Sequence, residues 1–206
     1  RGQVIFVRYA DDIVVGFQHE TDAKRFMVDL RQRMEEFSLS LHPVKTRLIE
    51  FGRFAAASRS RRGLGKPETF NFLGFTHICG RSLRGAFLLL RKTRADRMRV
   101  KLRAIKEELR RRWHDSIVQQ GQWLTQVVRG YFNYHAVPTN ARRLGAFRHH
   151  VTNLWRRALK RRSQRDRTTW ADMARLAAAY LPAARILHPW PDARFAANHP
   201  RWEPGA

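Results

Sequence analysis

The chain has 206 residues, 43% of them hydrophobic, and this length and composition predict one or two compact units with a core. Its 41 lysine and arginine residues exceed its 17 acidic residues, and the formal net charge of +24 favours a polyanionic partner, nucleic acid rather than a membrane surface. The single cysteine, Cys79, excludes an internal disulfide and a CxxC zinc site and favours a reducing compartment, while no apolar run approaches the ~20 residues that span a membrane.

The first predicted element is a β-hairpin with two acidic residues at its tip. Residues 4–7 and 13–15 are apolar and β-branched, and they flank Tyr9-Ala10-Asp11-Asp12. In a buried hairpin, desolvation and mutual repulsion make both carboxylates costly unless a divalent cation neutralises them. Mg²⁺ prefers oxygen ligands, and pairs of such ions serve phosphoryl transfer. The alternative is a turn whose aspartates face water and bond nearby backbone amides.

A helix is predicted to follow the hairpin, beginning at residues 19–22 with Thr21 or Asp22 as its N-cap. Its apolar residues recur at helical spacing, so one face should pack on the hairpin's sheet. These residues are Ala23, Phe26, Leu30, Met34 and Phe37.

The next part of the chain, up to residue 90, reads as short strands around one loop. The third segment, residues 69–76, is predicted to form a pair of strands, and Gly74 within it indicates a bulge or a close approach of the backbone. The predicted strands lie over 39–41, 48–51, 69–76 and 87–90, and a basic surface loop lies over 53–66.

After Arg91 the hydrophobic period changes from two to about 3.6, which predicts a domain boundary and a bundle of four helices with antiparallel neighbours. We therefore divide the chain into residues 1–90, 91–185 and 186–206. The proline-rich tail is predicted to be non-helical, with Trp190, Phe195 and Trp202 packing on the bundle or stacking on RNA bases. The four apolar stripes are Met98, Leu102, Ile105, Leu109 and Trp113; Leu124, Val127, Val128, Tyr131 and Tyr134; Leu144, Phe147, Val151, Leu154 and Ala158; and Trp170, Met173, Ala177 and Tyr180.

Two of these helices carry a large excess of positive charge. Residues 91–112 hold eleven lysines and arginines against three acids, and residues 142–167 hold ten against one. Charge runs are often only solvated faces, but two such helices would repel each other unless an anion lay between or across them. The pattern therefore favours a surface that binds phosphates.

Several stretches together resemble the C-terminal half of a bacterial group II intron-encoded reverse transcriptase/maturase. YADD at 9–12 resembles the catalytic motif, SLHPVKTRLIEFG at 40–52 a lysine-bearing palm motif, and TFNFLGFTH at 69–77 the primer grip. WLTQVVRGYFNYHAVPTN at 123–140 and ILHPWPDARFAANHPRWEPGA at 186–206 resemble the thumb, or maturase, domain. The resemblance implies an α+β fold: a partial palm, with an antiparallel sheet and a packed helix, followed by an all-α thumb.

The resemblance also implies roles for individual residues. Asp11 and Asp12 would hold two Mg²⁺ ions, and Tyr9 and Ala10 would lie beside the primer end and the incoming dNTP. Lys45 would lie near the nucleotide's phosphates as a catalytic proton donor, and Phe72, Leu73 and Gly74 would steady the primer. The implied RNA-binding residues are Arg91, Lys92, Arg94, Arg99, Lys101, Arg103, Arg110, Arg111, Arg112, Arg142, Arg143, Arg156, Arg157, Lys160, Arg161 and Arg162.

The chain departs from the family pattern at both ends. The palm's further metal-binding aspartate and the fingers lie upstream of the stretches matched here, so we expect a fragment whose Mg²⁺ site is completed by a carboxylate outside this chain. Glu50 lies in an apolar pattern, but nothing places it beside Asp11. The cysteines of the family's zinc endonuclease domain are missing, so no target-strand cleavage is expected.

The expected partners are group II intron RNA, a template–primer duplex and dNTP, in the bacterial cytoplasm and without a membrane. Two alternatives to a polymerase part stay open. One is a non-catalytic maturase module that only stabilises intron RNA, and the other is a general basic RNA-binding protein with an incidental Asp-Asp turn.

Overall fold

The computed structural model describes residues 2–162 and 167–198, and side chains as far as residue 194. Within these residues the chain forms an α+β structure, which confirms the predicted fold class. The strands are β1 Val4–Tyr9, β2 Asp12–Phe17, β3 Phe70–Phe72, β4 Phe75–Arg81 and β5 Phe87–Thr93. The helices are α1 Glu20–Glu36, α2 Ala55–Arg61, α3 Ala95–Arg111, α4 Ile117–His135, α5 Ala141–Lys160, α6 Trp170–Tyr180 and α7 Pro191–Asn198.

The described residues fall into two units. The first unit comprises residues 2–72 and 79–89, and the second comprises residues 73–78 and 90–198. The strands belong to two sheets, one of order β1-β2 and one of order β3-β4-β5. None of the helices in the described ranges is long and apolar enough to cross a lipid bilayer.

In the first unit, β1 and β2 form the predicted antiparallel hairpin, with a register that runs from Val4 opposite Phe17 to Tyr9 opposite Asp12. The predicted packing of the following helix on this sheet is confirmed, because the rings of Phe17 and Phe26 lie 5.3 Å apart. The prediction of a buried hairpin is wrong: Ile5 is 69% exposed. The physical reason is that α1 covers only part of one face, so most side chains of β1 remain in contact with solvent.

Helix α1 begins before the residues predicted to cap it. Its N-cap is His19, which makes no side-chain capping bond. Asp22 lies in the first turn, where a carboxylate is favourable beside the helix dipole, and it accepts a hydrogen bond from the Gly2 amide at 3.1 Å. The prediction of Thr21 or Asp22 as the cap is therefore wrong by two or three positions.

The segment between α1 and β3 differs from the predicted strands and loop. Neither 39–41 nor 48–51 forms a strand, and the predicted loop contains α2. The alanines of α2 are strong helix formers, and Ala55 is buried. Phe51 satisfies its apolar character by packing edge-on against Phe70, with ring centroids 5.0 Å apart, and needs no strand ladder for this.

A tight turn at Leu73-Gly74 joins β3 to β4. Both residues have positive φ, 47° and 75°, as in the type I′ turns that match the twist of a hairpin. Gly74 therefore serves the turn, and the first predicted alternative, a bulge at this position, is wrong. A Cβ placed on Gly74 would lie 3.6 Å from Tyr134 Cε1, so the second alternative, a close approach of the backbone, amounts to ordinary van der Waals contact.

In the second unit, α3 packs most extensively against α5. The residues just before these two helices are joined by hydrogen bonds between Thr93 and Asn140. Beyond their other ends, the Arg162 guanidinium donates to the carbonyl of Asp115. The two helices therefore run parallel, while α4 between them in the chain runs the opposite way. The predicted antiparallel packing of neighbours is therefore wrong for α3 and α5, the pair of helices in most extensive contact.

The core of this unit follows the predicted stripes, with three exceptions. Trp155, Phe147 and Leu144 are fully buried, and the indole N–H of Trp155 donates to Gln120 Oε1 at 3.0 Å. Three residues of the predicted stripes are roughly a third to a half exposed and do not belong to the core. They are Trp113, Tyr134 and Trp170, and Trp113 also lies beyond the end of α3.

The ends of two helices are capped by side chains. Ser116 and Gln119 form a capping box at the start of α4. Arg148 of α5 donates to three carbonyls at the end of α6, those of Ala177 at 2.7 Å, Pro182 at 3.1 Å and Leu181 at 3.3 Å. Carbonyls at a helix end have no partner inside the helix, so this cation stabilises α6 both by bonding and by opposing its dipole.

The prediction of a non-helical tail is wrong, because α7 begins at Pro191. Proline is tolerated at the first helical position, where no backbone N–H is needed. His188 bonds the carbonyl of Asn133 at 2.7 Å, whereas Trp190 is 49% exposed and does not provide the predicted packing. The predictions for Phe195 and Trp202 lie outside the described side chains.

One buried side chain, that of Asn140, joins the end of β5, the end of α4 and the start of α5. Asn140 Oδ1 accepts from the Thr93 amide at 2.9 Å, and Asn140 Nδ2 donates to Thr93 Oγ1 at 2.7 Å and to the His135 carbonyl at 2.8 Å. Both Asn140 and Thr93 are fully buried. We define Asn140, Thr93 and His135 as the Asn140 joint.

We expect Asn140→Ala to destabilise the chain by about 3 kcal/mol, because it leaves buried donors and acceptors without partners. Chemical denaturation would measure the loss in free energy of unfolding. Asn133→Ala, at an exposed position of α4, is the matched control and should change stability by less than about 0.5 kcal/mol. Equal losses in the two variants would contradict the role of the joint.

Candidate functional site

The two predicted catalytic aspartates lie at the apex of the β1–β2 hairpin. Ala10 and Asp11 form the two-residue turn, and Asp12 begins β2 opposite Tyr9. Ala10 has a φ of 52° while Asp11 does not have positive φ, which is the pattern of a type II′ turn. The carbonyl of Ala10 accepts from Arg8 Nε at 3.0 Å, which holds the turn in this conformation.

The apex is exposed, and this changes the argument for a metal. Because water solvates Asp11 and Asp12, their repulsion is screened and folding does not require a cation to neutralise them. Neither carboxylate takes part in an ion pair among the described residues, so their oxygens are available to a hard cation. The described residues contain no group of three or more metal-binding side chains. The donor set thus fits Mg²⁺ in its chemistry and contributes two carboxylates.

Lys45 is exposed and lies in a turn at residues 43–45. The turn is closed by a hydrogen bond from the Thr46 amide to the His42 carbonyl at 2.9 Å. Within the described part of the chain, no hydrogen bond or ion pair joins Lys45 to Asp11 or Asp12. The structure therefore presents this lysine on a defined turn but does not place it on the carboxylates.

Glu50, the other acid considered from the sequence, is already neutralised. Its carboxylate pairs with the guanidinium of Arg62, and two thirds of its side-chain surface is buried. A carboxylate engaged in this way is a poor candidate for a metal ligand, because the cation would have to displace the arginine.

The three predicted primer-grip residues lie at the β3–β4 turn, with Phe72 ending β3 and Leu73 and Gly74 forming the turn itself. The Leu73 carbonyl accepts from the hydroxyl of Tyr134 at 2.9 Å. Tyr134 was assigned to a core stripe by its spacing. Its contact with this turn was not predicted, and only its partial exposure distinguishes it from a core residue.

A groove between the parallel helices α3 and α5 contains two of the predicted RNA-binding residues, Arg103 and Arg157. Arg99, Arg103, Lys106 and Arg110 are exposed along one face of α3 at the spacing i, i+4, i+7 and i+11. The groove has a volume of about 290 Å³ and is lined by Leu102, Arg103, Lys106, His150, Asn153, Leu154 and Arg157. Lys106, His150 and Asn153 were missed from the sequence, although helical spacing alone would have found Lys106.

The remaining predicted RNA-binding residues fall into two groups. Some are already engaged within the protein, and the others face solvent or are half-buried. The engaged residues are Arg94 with Asp96; Arg111 with Glu108; Arg112 with Glu108, Asp115 and the Trp123 ring; Arg156 with Trp170; and Arg162 with the Asp115 carbonyl. Lys101, Arg142, Lys160 and Arg161 are exposed, as are Arg99, Arg103, Arg110 and Arg157, while Arg91, Lys92 and Arg143 are half-buried.

Arg156 and Arg157, neighbours in the sequence, have different environments. The Arg156 guanidinium lies 4.5 Å from the centroid of the Trp170 ring, and His149 stacks on the same ring with an interplanar angle of 9°. This cation–π contact ties α6 to α5. Arg157 is exposed at the groove, so it is the better candidate for contact with a phosphate.

Two titratable groups, one in the Asn140 joint and one in contact with it, have strongly shifted pKa values. Burial lowers the pKa of His135 from 6.5 to about 4 and raises the pKa of Tyr131 to about 12. The two rings are in contact, with centroids 4.3 Å apart, and His135 Nδ1 lies 3.4 Å from Thr93 Oγ1. Both groups are neutral at pH 7 and serve the packing of the Asn140 joint rather than proton transfer.

Residues 1–77 match the protein family described as Reverse transcriptase (RNA-dependent DNA polymerase). The matched segment contains the Asp11-Asp12 apex, Lys45 and the Leu73-Gly74 turn. No curated protein matches the chain. The resemblance to reverse transcriptases is thus confirmed as a similarity of residues 1–77 to this family.

We expect the thermal stability of the chain to fall between pH 7 and pH 5. Burial lowers the pKa of His135, and also that of His77, so the unfolded chain binds protons more tightly than the folded chain. The stabilisation that neutral His135 provides is present above pH 6.5 and is lost as the pH falls toward 4.

His135→Gln should therefore reduce the difference in Tm between pH 7 and pH 5. The part of that difference that is due to His77 should remain. Differential scanning calorimetry at both pH values measures that difference, and His114→Gln, at an exposed position, is the control. An undiminished pH dependence in His135→Gln would contradict the assignment.

Proposed function

We propose that this chain supplies the C-terminal part of the palm and the thumb of a group II intron-encoded reverse transcriptase with a maturase role. In this proposal it binds intron RNA and a template–primer duplex, and it takes part in copying RNA into DNA. The single observation that carries the proposal is the match of residues 1–77 to the reverse-transcriptase family. The matched segment includes Asp11 and Asp12, whose carboxylates are exposed at the hairpin apex and available to a metal ion.

The residues of the hairpin apex and Lys45 each have a role in the proposed reaction. Asp11 and Asp12 would hold Mg²⁺, which when bound neutralises the phosphates of the nucleotide and activates the primer hydroxyl. Tyr9 and Ala10 would line the position of the primer end and the incoming dNTP. Lys45 would donate a proton to the leaving pyrophosphate, since an exposed ammonium offers both a proton and a compensating charge.

The carboxylate set of this chain is too small for the reaction on its own. Two carboxylates from one turn would give each of two magnesium ions a single protein ligand, with phosphate oxygens and water as the other ligands, and a further carboxylate would hold the pair of ions more firmly. We therefore infer that a carboxylate outside this chain completes the site, and that the purified chain alone does not extend a primer.

A second candidate function is that of an RNA-binding maturase module without polymerase activity. The observation that favours it is the groove between α3 and α5, which is lined by Arg103 and Lys106 of α3, by Arg157 of α5, and by the apolar residues Leu102 and Leu154. Cations on both sides of such a groove can contact successive phosphates of a nucleic acid backbone, and these contacts give affinity without sequence specificity.

The substitution Asp11→Asn distinguishes the polymerase function from the RNA-binding function. In a polypeptide that joins this chain to a reverse-transcriptase segment with the fingers and the remaining palm aspartate, Asp11→Asn should abolish primer extension, at least about a hundredfold, since a metal ligand is lost. Affinity for RNA should stay within about twofold, because phosphate contacts come from other residues.

The control is Asp29→Asn, which removes another exposed carboxylate, from α1, and should leave both activities intact. If Asp11→Asn weakened RNA binding as much as synthesis, the roles assigned to the apex would be wrong. Extension by the wild-type fusion but not by the chain alone would support the inferred outside carboxylate.

The groove makes a separate prediction about salt dependence. Arg103→Ala and Arg157→Ala should each reduce the slope of log K against log salt for RNA binding by about one, as expected when one phosphate contact is lost. Arg175→Ala, whose guanidinium pairs with Asp172 on α6, is the control. Filter binding at several salt concentrations measures the slopes, and unchanged slopes in both groove variants would place the RNA elsewhere.

A further inference from the structure

The turn between β3 and β4 adopts a backbone conformation that its first residue disfavours. Leu73 has a φ of 47° and Gly74 a φ of 75°. Glycine adopts positive φ freely, but leucine does so at a cost, because its Cβ crowds the following carbonyl. Such strained positions persist only where the surrounding structure fixes them, and they cluster at ligand-binding sites.

Both carbonyls of this turn are bonded by groups outside the hairpin. The hydroxyl of Tyr134 donates to the Leu73 carbonyl at 2.9 Å, and the amide of Arg94 donates to the Gly74 carbonyl at 3.1 Å. Tyr134 belongs to α4, and Arg94 is the N-cap residue of α3. The orientation of the two peptide groups in this strained turn is therefore fixed by bonds from these helices rather than by the strands.

The ring of Tyr134 adds contacts on two sides. It stacks on the buried ring of Phe75, with centroids 5.8 Å apart and an interplanar angle of 16°. A Cβ placed on Gly74 would lie 3.6 Å from Tyr134 Cε1, so the ring touches the turn itself. Yet Tyr134 is 53% exposed, so packing of the helical core does not account for it.

We propose that Tyr134 is a positioning residue for the primer strand, acting by fixing the Leu73-Gly74 turn. This inference rests on the proposed function, together with the role of steadying the primer that the resemblance to reverse transcriptases implies for Leu73 and Gly74. Through Tyr134, the end of α4 determines the orientation of the turn, and the 3′-terminal part of a primer on an RNA template is the ligand whose placement depends on it. Tyr134 acts through the turn rather than on the reacting atoms.

The test is photocrosslinking with the full 206-residue chain. A DNA primer that carries 4-thiothymidine at its 3′ end is annealed to an RNA template, irradiated with the protein, and the crosslinked peptide is mapped. In the wild-type chain we expect a crosslink within residues 70–77. Tyr134→Phe should lower its yield by about fivefold, the change in population that one net hydrogen bond supports.

Two further variants and one further measurement make the test specific. Tyr180→Phe removes a tyrosine hydroxyl from α6 of the same unit and should leave the crosslink yield unchanged. Tyr134→Ala, which also removes the ring, should lose at least as much yield as Tyr134→Phe. The affinity of each variant for the duplex, measured by fluorescence anisotropy, should stay within about twofold of wild type, since phosphate contacts dominate affinity.

The outcomes separate this inference from the function on which it rests. A selective loss of the crosslink in Tyr134→Phe with intact duplex affinity supports it. Tight duplex binding without a wild-type crosslink in residues 70–77, or with equal yields in wild type and Tyr134→Phe, overturns the positioning role and leaves the polymerase assignment standing. Failure of the wild-type chain to bind an RNA–DNA duplex overturns both.

Discussion

The arrangement of the helical unit depends on a single buried amide, that of Asn140. It is the N-cap residue of α5, yet its side chain does not cap its own helix and instead bonds Thr93 and the end of α4. A buried amide with three partners has one low-energy position, because any shift leaves a donor or an acceptor without a partner in a medium of low polarity. This constraint aligns the starts of α3 and α5, so the two helices run parallel.

The parallel alignment explains how two strongly basic helices pack together. Buried residues of both helices, such as Ile105 and Val151, belong to one apolar core, while the cations that line the groove are exposed. Several arginines are paired with acids, aromatic rings or carbonyls, which reduces the repulsion that remains. The exposed cations at the groove, Arg103, Lys106 and Arg157, have a common side on which a phosphate backbone would offset their repulsion.

Most elements could be predicted from the sequence because their apolar period is long and regular. The stripe from Leu144 to Ala158 identified α5, and two apolar, β-branched runs on either side of an acidic pair identified the β1–β2 hairpin. The predictions for short apolar segments were wrong for a physical reason. An apolar residue such as Phe51 can pack against one ring, that of Phe70, without belonging to a strand. Helix α7 was missed because a proline at the first helical position does not disrupt a helix.

The candidate site was predicted in part. The sequence located Asp11 and Asp12 at a turn, but period and residue type carry no information about exposure, so the hairpin was expected to be buried. Similarly, Arg156 and Arg157 look equivalent in the sequence, and only the tertiary position of Trp170 separates a packing arginine from an exposed one. The bond from Tyr134 to Leu73 joins residues 61 positions apart, beyond the reach of any local pattern.

The central claim is that the exposed Asp11-Asp12 apex binds divalent cations in preference to the other acidic pairs of the chain. Titration of the chain with Mn²⁺, followed by the broadening of amide NMR signals, tests this directly. The account predicts that signals of residues 10–12 broaden at the lowest Mn²⁺ concentration, and that Asp11→Asn removes this preference. Equal or earlier broadening at Glu35-Glu36 or Glu107-Glu108, which are adjacent acids on helices, would contradict it.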